Sequence, residues 1–163
     1  MWLWRPRYCI KAVFDQQRVL LSHLAEEPKR MDPVGTGAAS KLALNQLIAS
    51  LTHGYSLALR LVQASGLDVD SFMNVLRPSA LYAPTVDKKL KRMLTHDYSD
   101  PNFSTSLLRK DLNLFLREAN LAGVNADALE GLSALLMRAE GTDLDAGDYS
   151  ALHELTAAEP PLS

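Results

Sequence analysis

The 163-residue chain is 47% hydrophobic and 22% charged, which suits one globular domain with a substantial core and excludes wholesale disorder. A formal net charge of -2 and a pI near 6.1 provide no basic surface for phosphate, so DNA and RNA are not expected partners. No apolar run approaches the roughly 20 residues that span a bilayer, and no long apolar stretch opens the chain, so no membrane or secretory role is expected.

In chain order, the first 31 residues, with Trp2 and Trp4 close to Arg5-Pro6-Arg7, carry no clear pattern. Val13 to Leu21 fits strand or helix equally. From about Ala38 to Ser65, Leu44, Leu47, Leu51, Ala58, Leu61 and Val62 recur at three- and four-residue steps, which predicts a long helix with those residues as its apolar stripe and Gly66 as its stop. Asp68 or Asp70 caps a short helix through Phe72, Val75 and Leu76, and Pro78 ends it. Pro84-Thr85 opens a basic helix with Lys88, Lys89, Lys91 and Arg92, read as a solvated face, and His96-Asp97 reads as its end and turn. Asp97 to Asn102 forms a turn. A second long helix runs from Phe103 to Ala122, with Leu108, Leu112, Phe115 and Ala119 on one side and Gly123 as its stop. Asn125 or Asp127 caps a helix carrying Leu129, Leu132, Leu135, Leu136 and Met137, stopped by Gly141. The acidic loop Thr142 to Asp148 precedes a last short helix, Tyr149 to Leu155, and a frayed tail, Glu159 to Ser163. The expected fold class is all-α: two long helices with shorter ones packed around them.

Cysteine and histidine usage adds little. Cys9, the only cysteine, forms no internal disulfide, which suits a reducing compartment, and a cytoplasmic location is expected. His23, His53, His96 and His153 are dispersed and lack metal-ligand spacing, so no metal site is expected.

The most informative segment is Val34-Gly35-Thr36-Gly37-Ala38-Ala39-Ser40-Lys41-Leu42-Ala43-Leu44-Asn45. Gly35 and Gly37 allow a tight backbone entry to the long helix. Lys41 and Asn45, four residues apart, stack on one helical face at the border of the apolar stripe, where an ammonium and a carboxamide can address one small polar ligand. Such a pair also arises by chance on solvated helix faces, so spacing alone is a weak signal.

The wider pattern is more specific. The order Gly-x-Gly-x-x-x-Lys-x-x-x-Asn, then Gly66-Leu67-Asp68, then His96-Asp97-Tyr98-Ser99-Asp100-Pro101-Asn102-Phe103, then Arg109-Lys110-Asp111-Leu112 and Asp148-Tyr149-Ser150-Ala151-Leu152 resembles the C-terminal helical domain of the β-hydroxyacid dehydrogenases. These are the 3-hydroxyisobutyrate dehydrogenase and tartronate semialdehyde reductase group, with a helical domain like that of 6-phosphogluconate dehydrogenase. The resemblance covers about Pro33 to Leu155. It implies that Lys41 is the catalytic acid or base, that Asn45 binds substrate with the Gly35 and Gly37 loop before it, and that Lys110 lies by the NAD or NADP cofactor with Asp111 as a more structural neighbour.

Two departures accompany the resemblance: Leu44 stands where the family often has a second asparagine, and Leu57 where a glutamate is common. No Gly-x-Gly-x-x-Gly turn of a Rossmann domain is present, and that turn is where a dinucleotide pyrophosphate rests. The expected organisation is an N-terminal segment of uncertain origin over 1–31, a helical dehydrogenase domain over 32–158 and a tail over 159–163, the remnant of a truncated or split dehydrogenase. The leucine stripes of the long helices predict a homodimer, and a small hydroxyacid substrate and a separate Rossmann-domain polypeptide are the other expected partners. The alternative is a helical dimerisation module without chemistry.

Overall fold

The computed structural model describes residues 11–31 and 33–158; Trp2, Trp4, Cys9 and the tail from 159 lie outside the described residues. The helices are α1 (Lys11–Gln16), α2 (Arg18–Ser22), α3 (Thr36–Ala64), α4 (Val69–Leu76), α5 (Thr85–Thr95), α6 (Thr105–Leu121), α7 (Glu130–Met137), α8 (Asp143–Ala146) and α9 (Leu152–Leu155). Short 3-10 turns at Asp127–Leu129 and Tyr149–Ala151 lead into α7 and α9. Among the described residues there is no strand, only an isolated bridge between Ser104 and Asp148, so the fold is all-α as expected. None of these helices is long and apolar enough to cross a membrane, and no group of three or more His, Cys, Asp or Glu among the described residues is placed to hold a metal ion.

Two compact units divide the chain, Met1–Leu44 and Asn45–Ser163. In the first, the ambiguous Val13 to Leu21 segment is helical, forming α1 and α2, and the N-terminal turns of α3 close the unit. None of its described residues is buried, and Val19, Leu20, Leu24 and Val34 are all more than half exposed.

The second unit contains the core. One cluster joins Ala49 of α3 to Leu108 and Leu112 of α6, Leu132 and Leu136 of α7, and Tyr149, Leu152 and Leu155 near the end of the chain. The other joins Leu59 of α3 to Met73 and Leu76 of α4 and to Val86, Leu90 and Met93 of α5. Chain chemistry fixes the ends of these helices. Asp68 caps α4 by accepting from the Ser71 N–H at 2.8 Å, and Ser104 caps α6 by accepting from Leu107 N–H. After α6, Gly123 adopts φ +70° and lets the Val124 N–H reach back to the Ala119 carbonyl at 2.8 Å, the closure that a left-handed residue permits. At the end of α5 the same closure falls on a histidine. His96 has φ 54°, a conformation costing an L-residue roughly 1–2 kcal/mol, and its Nδ1 lies 2.5 Å from Glu154 Oε1, a contact that helps hold it there.

Three expectations are corrected. The long-helix stripe is largely out of phase: of the expected residues Val62 is buried, but Leu44, Leu47, Leu51 and Leu61 are exposed, and the rest of the buried face is Asn45, Ala49, Thr52, Ser56 and Leu59. Both sets recur with nearly the same period, and most of the leucines do not face inward. The basic run of α5 is not simply solvated. Lys89 is mostly buried, its Nζ 2.7 Å from the fully buried Asp148 and 4.5 Å from the centroid of the Tyr149 ring, and Arg92 donates to the Asp97, Ser99 and Asp100 carbonyls. The acidic loop Thr142 to Asp148 holds the short helix α8, where Asp145 accepts from Arg109 at 2.7 Å.

Candidate functional site

The residues picked out by the sequence fall in both units. Gly35 has φ +100°, in the region that favours glycine. Gly37 lies within regular α3, and a Cβ there would meet nothing within 4 Å, so only the first of the two glycines is conformationally required. Both line a cavity of about 500 Å³ in the first unit, whose walls include Val13, Phe14, Leu21 and Val34. Lys41 lies on the second turn of α3 and is exposed.

In the second unit Asn45, Asp111 and Lys110 meet. Asn45 belongs to the inward face of α3 and is only 2% exposed, so it is not the border residue that the helical wheel predicts. Its Nδ2 donates to Asp111 Oδ2 at 2.5 Å, and the other oxygen, Oδ1, stands 2.9 Å from Lys110 Nζ. The core positions this chain of groups. Asp111 and Lys110 sit on α6 between the buried Leu108 and Leu112, and Asn45 is one turn before the buried Ala49, which packs in the same cluster. A buried amide satisfied by a carboxylate has a fixed orientation, because losing that acceptor would leave the donor unpaired. The Lys110 side chain, by contrast, is 59% exposed and presents a cation at the surface beside the buried amide. Asp111, which the resemblance implies to be a more structural neighbour, is the group that joins the other two. Its adjacency to Lys110 was visible in the sequence, but its hydrogen bond to Asn45, 66 positions away, was not.

A second polar cluster lies elsewhere in the same unit. Glu154 accepts from Tyr98 and faces His96 through the same Oε1, while Arg60 Nη2 lies 3.4 Å from Oε2 and donates to the His153 carbonyl at 2.9 Å. Burial pushes against ionisation of Glu154, but hydrogen bonds from Tyr98 and His96 outweigh it and hold the carboxyl below its ordinary range. His153 is 1% exposed with neither ring nitrogen hydrogen-bonded; burial, with the Arg60 charge adding to it, lowers its pKa to about 4. Burial likewise opposes ionisation of Asp148, yet Lys89 and the Ser150 hydroxyl and N–H reverse the balance and lower its pKa.

The all-α architecture is shared with solved dehydrogenases. A 3-hydroxyisobutyrate dehydrogenase of Mycobacterium tuberculosis, solved with L-serine, superposes with a TM-score of 0.79 at 21% identity over 91% of this chain and 53% of that one. The 3-hydroxyisobutyrate dehydrogenase of Salmonella typhimurium gives a TM-score of 0.77 at 19% identity, over 89% and 51%. Both likenesses are of fold. In sequence, the chain is 26% identical over 144 residues to glyoxylate/succinic semialdehyde reductase 1 of Arabidopsis thaliana, covering 88% of this chain and 50% of that protein. The family described as "NAD-binding of NADP-dependent 3-hydroxyisobutyrate dehydrogenase" matches residues 35–156, and the chain belongs to it. It is an oxidoreductase-family domain, and it spans about half the length of the curated relatives it matches.

Proposed function

We propose that this chain is the catalytic and dimerisation half of an NAD(P)-dependent oxidoreductase acting in the cytoplasm on a 3-hydroxyacid or its semialdehyde. Residues 32–158 form the working domain in this reading, and a nucleotide-binding domain completes it. The observation that carries the reading is the Asn45, Asp111 and Lys110 cluster inside the family-matched span. The relatives named as semialdehyde reductase and 3-hydroxyisobutyrate dehydrogenase support the substrate class.

A nicotinamide cofactor, when bound, supplies the two-electron exchange with the carbinol carbon. Lys41 holds the proton: its Nζ takes it from the substrate hydroxyl on oxidation and returns it to the developing alkoxide on reduction. Asn45, its Nδ2 committed to Asp111, orients the substrate through its side-chain oxygen, and the Gly35 and Gly37 backbone flanks the bound acid. Lys110 fits an anionic partner on the cofactor side, because its ammonium is exposed while Asp111 tethers it.

A second reading, a helical association module without chemistry, is favoured by the near-complete burial of Asn45 and by Leu44 and Leu57 at departures from the family pattern. Calorimetry with NAD and NADP separates the two, run on the chain alone and on the chain mixed with a nucleotide-binding polypeptide of the family. The catalytic reading expects dinucleotide affinity in the mixture that Lys110→Ala weakens about ten-fold, the order of one lost charge-assisted contact. A mixture that binds neither dinucleotide would leave only the association module.

A further inference from the structure

In Met1–Leu44 an apolar helical face borders a cavity. The Gln17 N–H reaches the Val13 carbonyl at 3.0 Å and the Leu21 N–H reaches the Gln17 carbonyl at 2.9 Å, so the helical phase of α1 carries into α2. Val13, Phe14, Gln17, Leu20 and Leu21 therefore share one face, with Lys11, Asp15, Arg18 and Ser22 on the opposite one. All five residues of the first face line the cavity of about 500 Å³, as does Val34. The unit has no buried residue among those described, and Leu20 and Val34 are 62% and 58% exposed, so its apolar side chains do not cover one another. The charged groups among the described lining residues are Lys29 and Arg30, adjacent in the chain, and no carboxylate is among them. Lys29 Nζ also lies 3.4 Å from Glu27, but both side chains are well exposed, so solvent screens that pair.

We propose that this cavity binds a medium-length aliphatic carboxylate, its chain among Val13, Phe14, Leu20, Leu21 and Val34 and its head at Lys29 and Arg30. A volume of this size, apolar apart from a few polar groups, is the usual form of a small-ligand site, and apolar cavities exclude water and take apolar bodies. Chain and head are selected separately. The walls favour a run of methylenes over a polar body, and two neighbouring cations favour an anion over an amine or a neutral alcohol. The site goes beyond the proposed catalysis, since it uses neither Asn45, Lys110 nor the proton on Lys41.

The test is calorimetry on the full chain, with hexanoate, octanoate and decanoate as probes and decanol and decylamine as controls. One site per chain is expected, with affinity rising about four-fold per added methylene, the order of one buried CH₂. Decanoate should bind about ten-fold tighter than decanol, the order of one charge-assisted contact, and decylamine should not bind. Val34→Asp should weaken decanoate by about ten-fold or more, while Val75→Asp, also exposed but on α4, should leave it unchanged. Lys29→Glu combined with Arg30→Glu should bring decanoate to the level of decanol and leave decanol as it was. These side chains are exposed, so the variants should fold, and circular dichroism checks that they do. No binding of decanoate at millimolar concentration, an affinity independent of chain length, or equal binding of decylamine would overturn the proposal and leave the Lys41 reading standing. A chain that sediments as a dimer, becomes a monomer with Val34→Asp and takes no decanoate would overturn it in favour of a second copy at the cavity.

Discussion

The two units of this chain differ in what holds them together. Asn45–Ser163 has two apolar clusters, and its candidate site residues are joined to one another, Asn45 to Asp111 and Asp111 to Lys110. Met1–Leu44 has no buried residue among those described, and its site residues are a surface lysine and two glycines beside an apolar cavity. The candidate substrate-binding Asn45 is held within a packed core, while the candidate acid-base residue Lys41 lies in a unit with no buried residue among those described. Proximity contributes a large part of enzymatic rate, so the less supported half is the one expected to depend on a partner surface.

Substitutions can break or sharpen that contrast. The largest effect is expected from the core. Leu108→Ala and Leu136→Ala, both fully buried, should each cost about 2–5 kcal/mol in denaturant unfolding, whereas Leu20→Ala in the first unit should stay within about 0.5 kcal/mol. Equal losses would mean that the first unit has a core after all. Next comes the ion pair that ties α5 to the end of the chain. Lys89→Met leaves the buried Asp148 carboxylate without its cation and should cost about 3–5 kcal/mol, while Lys88→Met, on the exposed side of the same helix, should be close to neutral.

Acid stability follows from His153. Its pKa is about 4 in the folded chain against about 6.5 when unfolded, so between those values the unfolded state binds a proton that the folded state refuses. Stability is therefore full above about pH 6.5 and falls as pH drops, by up to about 3 kcal/mol near pH 4. His153→Leu should flatten this part of the curve in urea unfolding, leaving the losses at lower pH that come from protonating Asp148 and Glu154. An unchanged slope would show that the imidazole is not buried neutral. The smallest effect is at the site itself. Asp111→Ala strands the Asn45 amide and should cost about 1–3 kcal/mol, with Lys41→Ala leaving stability unchanged because that side chain is exposed.

Much of this was legible in the sequence, because helix ends are written locally. Asp68 before Ser71, Gly66 and Gly123 after the long helices and the His96-Asp97 pair all fall where capping chemistry places them. The all-α class and the family resemblance rest on the same local order. The inward face of α3 was not legible. Asn45, Ala49, Thr52, Ser56 and Leu59 share the period of the leucines, and period alone cannot tell a face that packs within the chain from one left for a partner. The Lys89–Asp148 pair, 59 positions apart, and the Asn45–Asp111 bond could not be read either, since each depends on tertiary packing between helices distant in the chain.

The central claim is that Lys41 does the acid-base chemistry. Its most direct test is steady-state turnover of a 3-hydroxyacid by the chain assembled with a nucleotide-binding partner, comparing the native lysine with Lys41→Ala at matched dinucleotide occupancy. A fall in kcat of about 10²–10⁴-fold with unchanged melting is the expected result. An assembled Lys41→Ala enzyme that turns over as fast as the native one would contradict it.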